Sequence, residues 1–302
     1  MSLPLFRWVV AAPLPLTRLL EEHGLTSALG EGRVFVDGVR AGPGLLPLPV
    51  GAAVEVFAPR PRADIRILNE IEDVFAVHKP AALPTEPDHS GADCVLAQLA
   101  KLLRVEPEGL FAVSRLDVGV SGVLLVTLGA RSRERMLAER AAGQLRRRYV
   151  ALAAGVPEPA EGDWREALGS KGQGRRAVDG RDAQSAHTRY RVVATAQPVV
   201  RDGVATTLLA LSPVTGRTHQ LRVHAAAHGA PLLGDRKYGG PPRMTAADGS
   251  VHAFAQILLH SAWVQWGMAG QQTRITSEPA QPLVDAWLAL GGDLAAMQSA
   301  LD

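Results

Sequence analysis

The chain has 302 residues, 47% of them apolar, and its 32 Lys and Arg against 30 Asp and Glu leave a net charge of only +2, so global charge alone does not announce a nucleic-acid protein. That length suits one large domain plus a small one. The single cysteine, Cys94, excludes an internal disulfide framework and a multi-cysteine zinc site, which fits a reducing cytoplasm, and no apolar run is long enough to span a bilayer.

In chain order, Pro4, Pro13 and Pro15 interrupt the N-terminus, and no secretory layout is read there. Residues 16–25 have the spacing of a short amphipathic helix. Residues 33–40 alternate and turn at Asp37-Gly38, a hairpin signal, and 54–57 read as a strand. The Pro-rich stretch 59–62 reads as a linker, dividing a small N-terminal domain, 1–60, from a large one, 61–302. Strands are expected at 65–68 and 74–77, and a helix at 92–103. An apolar lead-in at 111–113, a polar turn at 114–117 and an aliphatic run at 123–126 then predict strand, turn, strand. A helix follows at 130–142, stopped by Gly143, and a strand at 148–152. The Gly-rich stretch 161–181 reads as a surface loop or hairpin, and 188–193 and 204–211 as strands. Hydroxyl residues at 215–218 predict the start of a helix running over 218–228. A polar loop at 241–252, a strand at 257–266 and a short helix from Pro282 complete the chain.

Asp117 thus sits in a polar turn between two buried strands, where a carboxylate can do chemistry or simply bond turn amides. Arginines concentrate in two places. Arg131, Arg133, Arg135, Arg140, Arg146, Arg147 and Arg148 fall within 131–148, and Lys171, Arg175, Arg176 and Arg181 fall in the Gly-rich stretch. Both are consistent with a backbone-phosphate footprint, although a charge run is more often just a solvated face. His219, His224 and His228 have no carboxylate in a recognised metal pattern, so polar or packing histidines are the better reading and no metal is expected. Gly119-Val120-Ser121-Gly122 is one residue too short for a serine-nucleophile elbow, and no phosphate loop or dinucleotide fingerprint is present.

Arg115-Leu116-Asp117, followed by Ser121-Gly122 and an aliphatic strand, resembles the catalytic motif of RluA-type pseudouridine synthases, with Ser114 where the family has His and Val120 where it has Thr. Val77-His78-Lys79-Pro80-Ala81 is similar to an earlier motif of that family. Thr215-Gly216-Arg217-Thr218-His219-Gln220-Leu221-Arg222-Val223-His224, with the following 229–235 and Tyr238-Gly239, is similar to its most specific signature. Leu259-His260-Ser261 and Arg147-Arg148-Tyr149-Val150-Ala151 also resemble family elements, and the N-terminal residues faintly resemble an alpha-L RNA-binding module whose basic helix is short or missing.

The resemblance implies an α+β fold, a mixed, mainly antiparallel sheet with flanking helices around a central RNA-binding cleft. It implies isomerisation of uridine to pseudouridine in structured ribosomal or transfer RNA by a cytoplasmic, monomeric enzyme that needs neither cofactor nor metal. By the same resemblance Asp117 is the catalytic carboxylate, Arg222 its ion-pair partner and Tyr149 the aromatic beside the target base. Arg115 fills the vacated stack or holds phosphate, and Arg217, His219, Lys79, Arg147 and Arg148 contact RNA. The alternative is a noncatalytic RNA-binding or assembly factor on the same fold, for which Ser114 and Val120 argue.

Overall fold

The computed structural model describes residues 4–30, 33–42, 47–57, 64–87, 93–172, 174–196, 203–246, 248–268 and 271–302; the expected linker at 59–62 lies outside them. The N-terminal residues form a four-stranded sheet in the order Phe6–Val9, Ala53–Val56, Val34–Val36, Val39–Arg40. The hairpin turns where expected, because Asp37 and Gly38 both take positive φ, +50° and +78°, as a tight two-residue turn requires. Leu16, Leu19 and Leu20 of helix Leu16–Glu22 pack with Val34, Val54 and Val56 in a core of their own. That helix ends three residues short of expectation, at a turn through Gly24 (φ +67°), and a second helix, Thr26–Gly30, follows with no basic residue on it.

The rest of the fold is built on a ten-stranded sheet, mixed and mainly antiparallel. Its order is Glu161–Trp164, Thr188–Ala196, Thr206–Pro213, Arg146–Ala154, Leu259–Met268, Ser121–Leu128, Val74–Lys79, Arg66–Ile71, with Gln271–Thr276 added beside Leu259–Met268 and Leu110–Ala112 beside Ser121–Leu128. The central strands are apolar on both sides because both faces of the sheet are covered. On one face Val77, Leu124, Tyr149, Ala151 and Leu209 meet Leu96 and Leu99 of helix Val95–Leu103 and Leu221 and Ala225 of helix Gln220–Ala227. Their alternate neighbours point the other way, as the two-residue period of a strand demands. Val74, Ala76, Val123 and Leu125 pack on Met136 of helix Ala130–Ala141. Val150, Leu152 and Leu208 pack on Leu283, Trp287 and Met297 of helices Gln281–Ala289 and Leu294–Leu301.

The strand Leu259–Met268 runs parallel to Ser121–Leu128 at His260↔Ser121 and Ser261↔Gly122, while the other paired strands of this sheet run antiparallel. Gly122 makes this junction feasible. It takes φ +112°, and a Cβ there would lie 2.2 Å from the Ser261 carbonyl oxygen. The close approach sits just behind the turn that carries Asp117.

Three expectations need correction. The stretch 161–181 is neither a loop nor one hairpin: after Glu161–Trp164 it folds into the three-stranded sheet Arg175–Val178, Leu168–Gly172, Arg181–Gln184. The polar stretch 241–252 closes as a small hairpin, Arg243–Thr245 with Val251–Ala253. The helix of the long signature begins at Gln220, and neither Thr215 nor Thr218 caps it; the residue before it, His219, takes a left-handed conformation. Among the described residues no helix is long and apolar enough to cross a membrane.

Candidate active site

The turn after strand Leu110–Ala112 is fixed from several sides. Thr85 Oγ1 donates to the Leu116 carbonyl at 2.8 Å and accepts from the Leu116 amide at 3.1 Å. The amides of Ala82 and Val120 donate to the carbonyls of Val118 and Asp117 at 2.7 and 3.0 Å. Behind the turn, Ser121 Oγ pairs with His260 Nδ1 at 2.9 Å, and His260 Nε2 lies 3.2 Å from the Ser277 carbonyl. Donation from Nε2 to that carbonyl leaves Nδ1 as the acceptor. Burial pushes the His260 pKa down to about 4, so the ring is neutral at pH 7.

Asp117 is a quarter exposed and lines a cavity of about 360 Å³. Arg222 reaches it from helix Gln220–Ala227: Nη1 donates to Asp117 Oδ2 at 2.7 Å. The same guanidinium gives its other edge to Asp235, Nε to Oδ2 at 2.6 Å and Nη2 to Oδ1 at 2.8 Å. A two-bond fork of this kind fixes the plane of the guanidinium, and therefore the direction of the remaining N–H. Burial alone would lower the Arg222 pKa, but the hydrogen bonds and charge of Asp235, then those of Asp117, carry it above the ordinary arginine value. Tyr238 closes the other side, its ring centroid 4.9 Å from the Arg222 guanidinium carbon.

His219 stands between these groups. Its Nδ1 is 2.6 Å from the Tyr238 hydroxyl and its Nε2 is 3.8 Å from Asp117 Oδ2. Burial outweighs the nearby carboxylate and lowers its pKa to about 4, so it too is neutral near pH 7. The loop before it is organised by Gln220, a buried amide with every bond made. Its Oε1 accepts from Thr215 Oγ1 at 2.7 Å and from the Arg217 amide at 3.0 Å, while Nε2 donates to the His187 carbonyl and Thr188 Oγ1, both at 2.9 Å.

Asp117, Tyr149, Arg222, His219, Arg115, Arg217 and Arg147 all line the one cavity. Tyr149 forms part of its wall with only 6% of its surface exposed, and burial raises the pKa of its phenol. Arg115 projects at the mouth, 3.6 Å from Glu86. Arg148 is half-buried in a neighbouring cleft, over the Trp263 ring. Lys79 is not placed to meet RNA. It is fully buried, and its ammonium donates to the carbonyls of Pro80 at 2.9 Å and Val118 at 3.4 Å. Burial lowers its pKa to about 7 against the opposing pull of Asp117. It buttresses the turn from behind.

The arginines of 131–148 also part company. Arg135 pairs with Glu72 and Arg133 lies over Phe111, whereas Arg140 and Arg147 line the cavity. His224 and His228 are occupied elsewhere. His224 lies 3.0 Å from Thr188 Oγ1 and 3.1 Å from the Glu166 carbonyl, and His228 lies 2.9 Å from Glu166 Oε1 and stacks on Trp164. Thr85, Gln220, Asp235 and Tyr238 are the residues that spacing alone does not flag. Asp235 and Tyr238 stand in the long signature, but nothing local shows that they hold Arg222 and His219.

Comparison with known proteins identifies the family. A family model described as RNA pseudouridylate synthase matches residues 73–227. The dual-specificity RNA pseudouridine synthase RluA of Salmonella typhimurium is 32% identical over 224 residues, covering 70% of this chain and 94% of that protein. The protein of that name in Escherichia coli matches with the same identity and coverage, 32%, 70% and 94%. Among solved structures, Human RNA Pseudouridylate Synthase Domain Containing 1 shares the fold with a TM-score of 0.60 at 21% identity, over 80% of this chain and 97% of that one. Human RNA Pseudouridylate Synthase Domain Containing 4 shares it with a TM-score of 0.57 at 22% identity, over 74% of this chain and 92% of that one. The matched stretch 73–227 takes in the turn of Asp117, the strand of Tyr149 and the helix of Arg222, and on that ground the chain belongs to the RNA pseudouridylate synthase family.

Proposed function

We propose that Asp117 is the reacting carboxylate with which this RNA pseudouridine synthase isomerises uridine, and that its substrate is structured ribosomal or transfer RNA. The observation that carries the reading is the Asp117–Arg222–Asp235 chain of charge, whose first two members line a cavity walled also by Tyr149. Arg222 holds Oδ2, and among the described residues no hydrogen bond reaches Asp117 Oδ1, so one oxygen remains for the substrate. Pseudouridine formation breaks the N1–C1′ bond, turns the base and joins C5 to C1′; the C5 proton is lost and N1 gains one, so the sum of atoms is unchanged. An ionised carboxylate can serve as nucleophile at the sugar or take a proton from it. The uridine must leave its stack to reach such a cavity. Tyr149 supplies the face against which the base rests, and Arg115 at the mouth fills the vacated stack or holds phosphate.

The noncatalytic alternative is set aside, because the relatives at 32% identity are named synthases. We assign residues 1–60 to a small domain that tunes RNA affinity or choice, since Asp117, Tyr149, Arg222 and their partners all come from later in the chain. We further propose a cytoplasmic location, which a single, buried cysteine fits, and a monomeric state. The test is to incubate the full chain separately with unmodified ribosomal and transfer RNA and map pseudouridine by chemical labelling. New pseudouridine at defined positions in either RNA is expected; none in both would overturn the substrate assignment.

A further inference from the structure

The cations around the cavity fall into two kinds. Arg222 is closed by two carboxylates. Arg140, Arg147 and Arg217 meet neutral oxygens instead: Arg140 Nη1 donates to the Val113 carbonyl at 3.0 Å, Arg147 Nη2 to that of Thr215 at 3.1 Å, and Arg217 Nε to that of Ser185 at 3.0 Å, and Arg147 also bonds the Tyr149 phenol. Among the described residues no carboxylate lies within 4.0 Å of these three guanidinium groups. Arg147 is only 7% exposed, and its Nε has no hydrogen-bond partner. Burial, and then the charges of Arg147 and Arg217, hold the Arg140 pKa below its usual value.

Arg140 and Arg147 converge at Gly216, the residue before Arg217. A Cβ on Gly216 would lie 3.0 Å from Arg140 Nη2 and 3.5 and 3.6 Å from the two Nη atoms of Arg147. Gly216 therefore leaves a bare saddle of backbone beneath converging donors. The saddle joins two spaces. The catalytic cavity and a second cleft of about 870 Å³ share Leu137, Arg140, Arg147, Thr215, Gly216 and Arg217 in their walls. Beyond the saddle the second cleft is lined by Arg146, Arg148, Arg189 and Arg191. Of these, Arg189 approaches a carboxylate, Asp163, at 3.8 Å.

We propose that the Gly216 saddle binds the backbone phosphate beside the target uridine, and that the second cleft carries the flanking strand away from the cavity as single-stranded RNA. Guanidinium groups crowded without counter-charges are costly in the free protein, and a phosphate with several acceptor oxygens satisfies them together. A small free anion would account for the saddle alone. The continuous arginine-lined cleft calls for a polyanion. The inference rests on uridine entering the cavity by the reading proposed for Asp117.

The test is salt-dependent binding of the full chain to an oligouridylate of about ten nucleotides, with a melting curve for every variant. A variant that no longer neutralises one phosphate of a single strand should show a slope of log affinity against log salt shallower by about 0.7, and this is expected for Arg140→Gln and for Arg217→Gln. Gly216→Ala keeps every charge and places a methyl group on the saddle; it should weaken binding several-fold and decides the matter should Arg140→Gln not fold. Arg148→Gln combined with Arg191→Gln should lower the slope for the longer oligomer but not for one of about three nucleotides. Wild-type affinity and slope for folded Gly216→Ala, and for any folded Arg140→Gln, would overturn the saddle. Equal losses of affinity on both oligomers would overturn the exit path. Asp117→Asn, run alongside, should bind with an unchanged slope; if it turned over RNA the catalytic reading would fail while the slopes still judged the saddle.

Discussion

Arg222 and Arg147 are almost equally withdrawn from water, 6% and 7% exposed, yet their surroundings are opposite. Arg222 directs three N–H donors at two carboxylates, one of them the all but inaccessible Asp235. Arg147 has one backbone carbonyl and the neutral Tyr149 phenol, and its buried Nε has no hydrogen-bond partner. Taking a guanidinium out of water is unfavourable unless another group replaces the lost solvation. For Arg222 the fold supplies that group, so the residue belongs to the architecture of the site. For Arg147 the fold supplies neutral partners alone, and the proposed phosphate would bring the opposite charge. Position in the sequence separates neither case; the partners do.

The largest expected effect breaks the first half of this comparison. Arg222→Ala leaves Asp235 buried and alone, which should cost about 3–5 kcal/mol in chemical denaturation and cripple turnover as well. Next comes the neutral network behind the Asp117 turn. His260 is folded with a pKa of about 4 against an ordinary 6.5, so the unfolded chain takes up the proton first as pH falls. Its contribution is complete above 6.5 and lost progressively down to pH 4, by up to about 3 kcal/mol. His260→Asn should flatten that part of the stability curve, with His219 keeping some slope because its pKa is also about 4. An unchanged curve would mean that His260 is not held neutral.

Tyr149 offers a smaller effect. Tyr149→Ala should weaken RNA binding by about 1–3 kcal/mol if the ring carries the base, and Tyr149→Phe by much less. Equal affinities for the two variants would remove the ring from that role. The smallest change sharpens the second half of the comparison: Arg147→Met leaves no carboxylate stranded and should alter stability by no more than about 1 kcal/mol while reducing RNA affinity. A destabilisation as large as that of Arg222→Ala would erase the distinction between the two arginines.

Much of the molecule was legible in the sequence, for reasons that particular residues make plain. The strands at 74–79 and 121–128 are apolar on both faces, and that signal survives any tertiary context. The Asp37-Gly38 turn was readable because few residue pairs tolerate two positive φ values in succession. The stretch 161–181 was harder: its short, polar strands bury little, so periodicity had nothing to register. Helix Gln220–Ala227 starts late because Thr215 turns its hydroxyl to Gln220 Oε1 rather than to the helix amides. Lys79 misled for a physical reason. The resemblance puts it among the RNA contacts, yet here it lies inside the fold and serves two carbonyls. Thr85 and Asp235 act across 31 and 13 residues of chain, pairings that only the folded molecule reveals.

The most direct measurement is the single-turnover rate of pseudouridine formation by Asp117→Asn, at saturating RNA and with wild-type contamination excluded. The substitution keeps the side-chain shape and removes the anion. The account predicts no detectable product, with melting temperature and RNA affinity close to those of the wild type. Product formed at a rate near wild type would contradict it, and Asp117 would be a turn residue that Arg222 happens to touch.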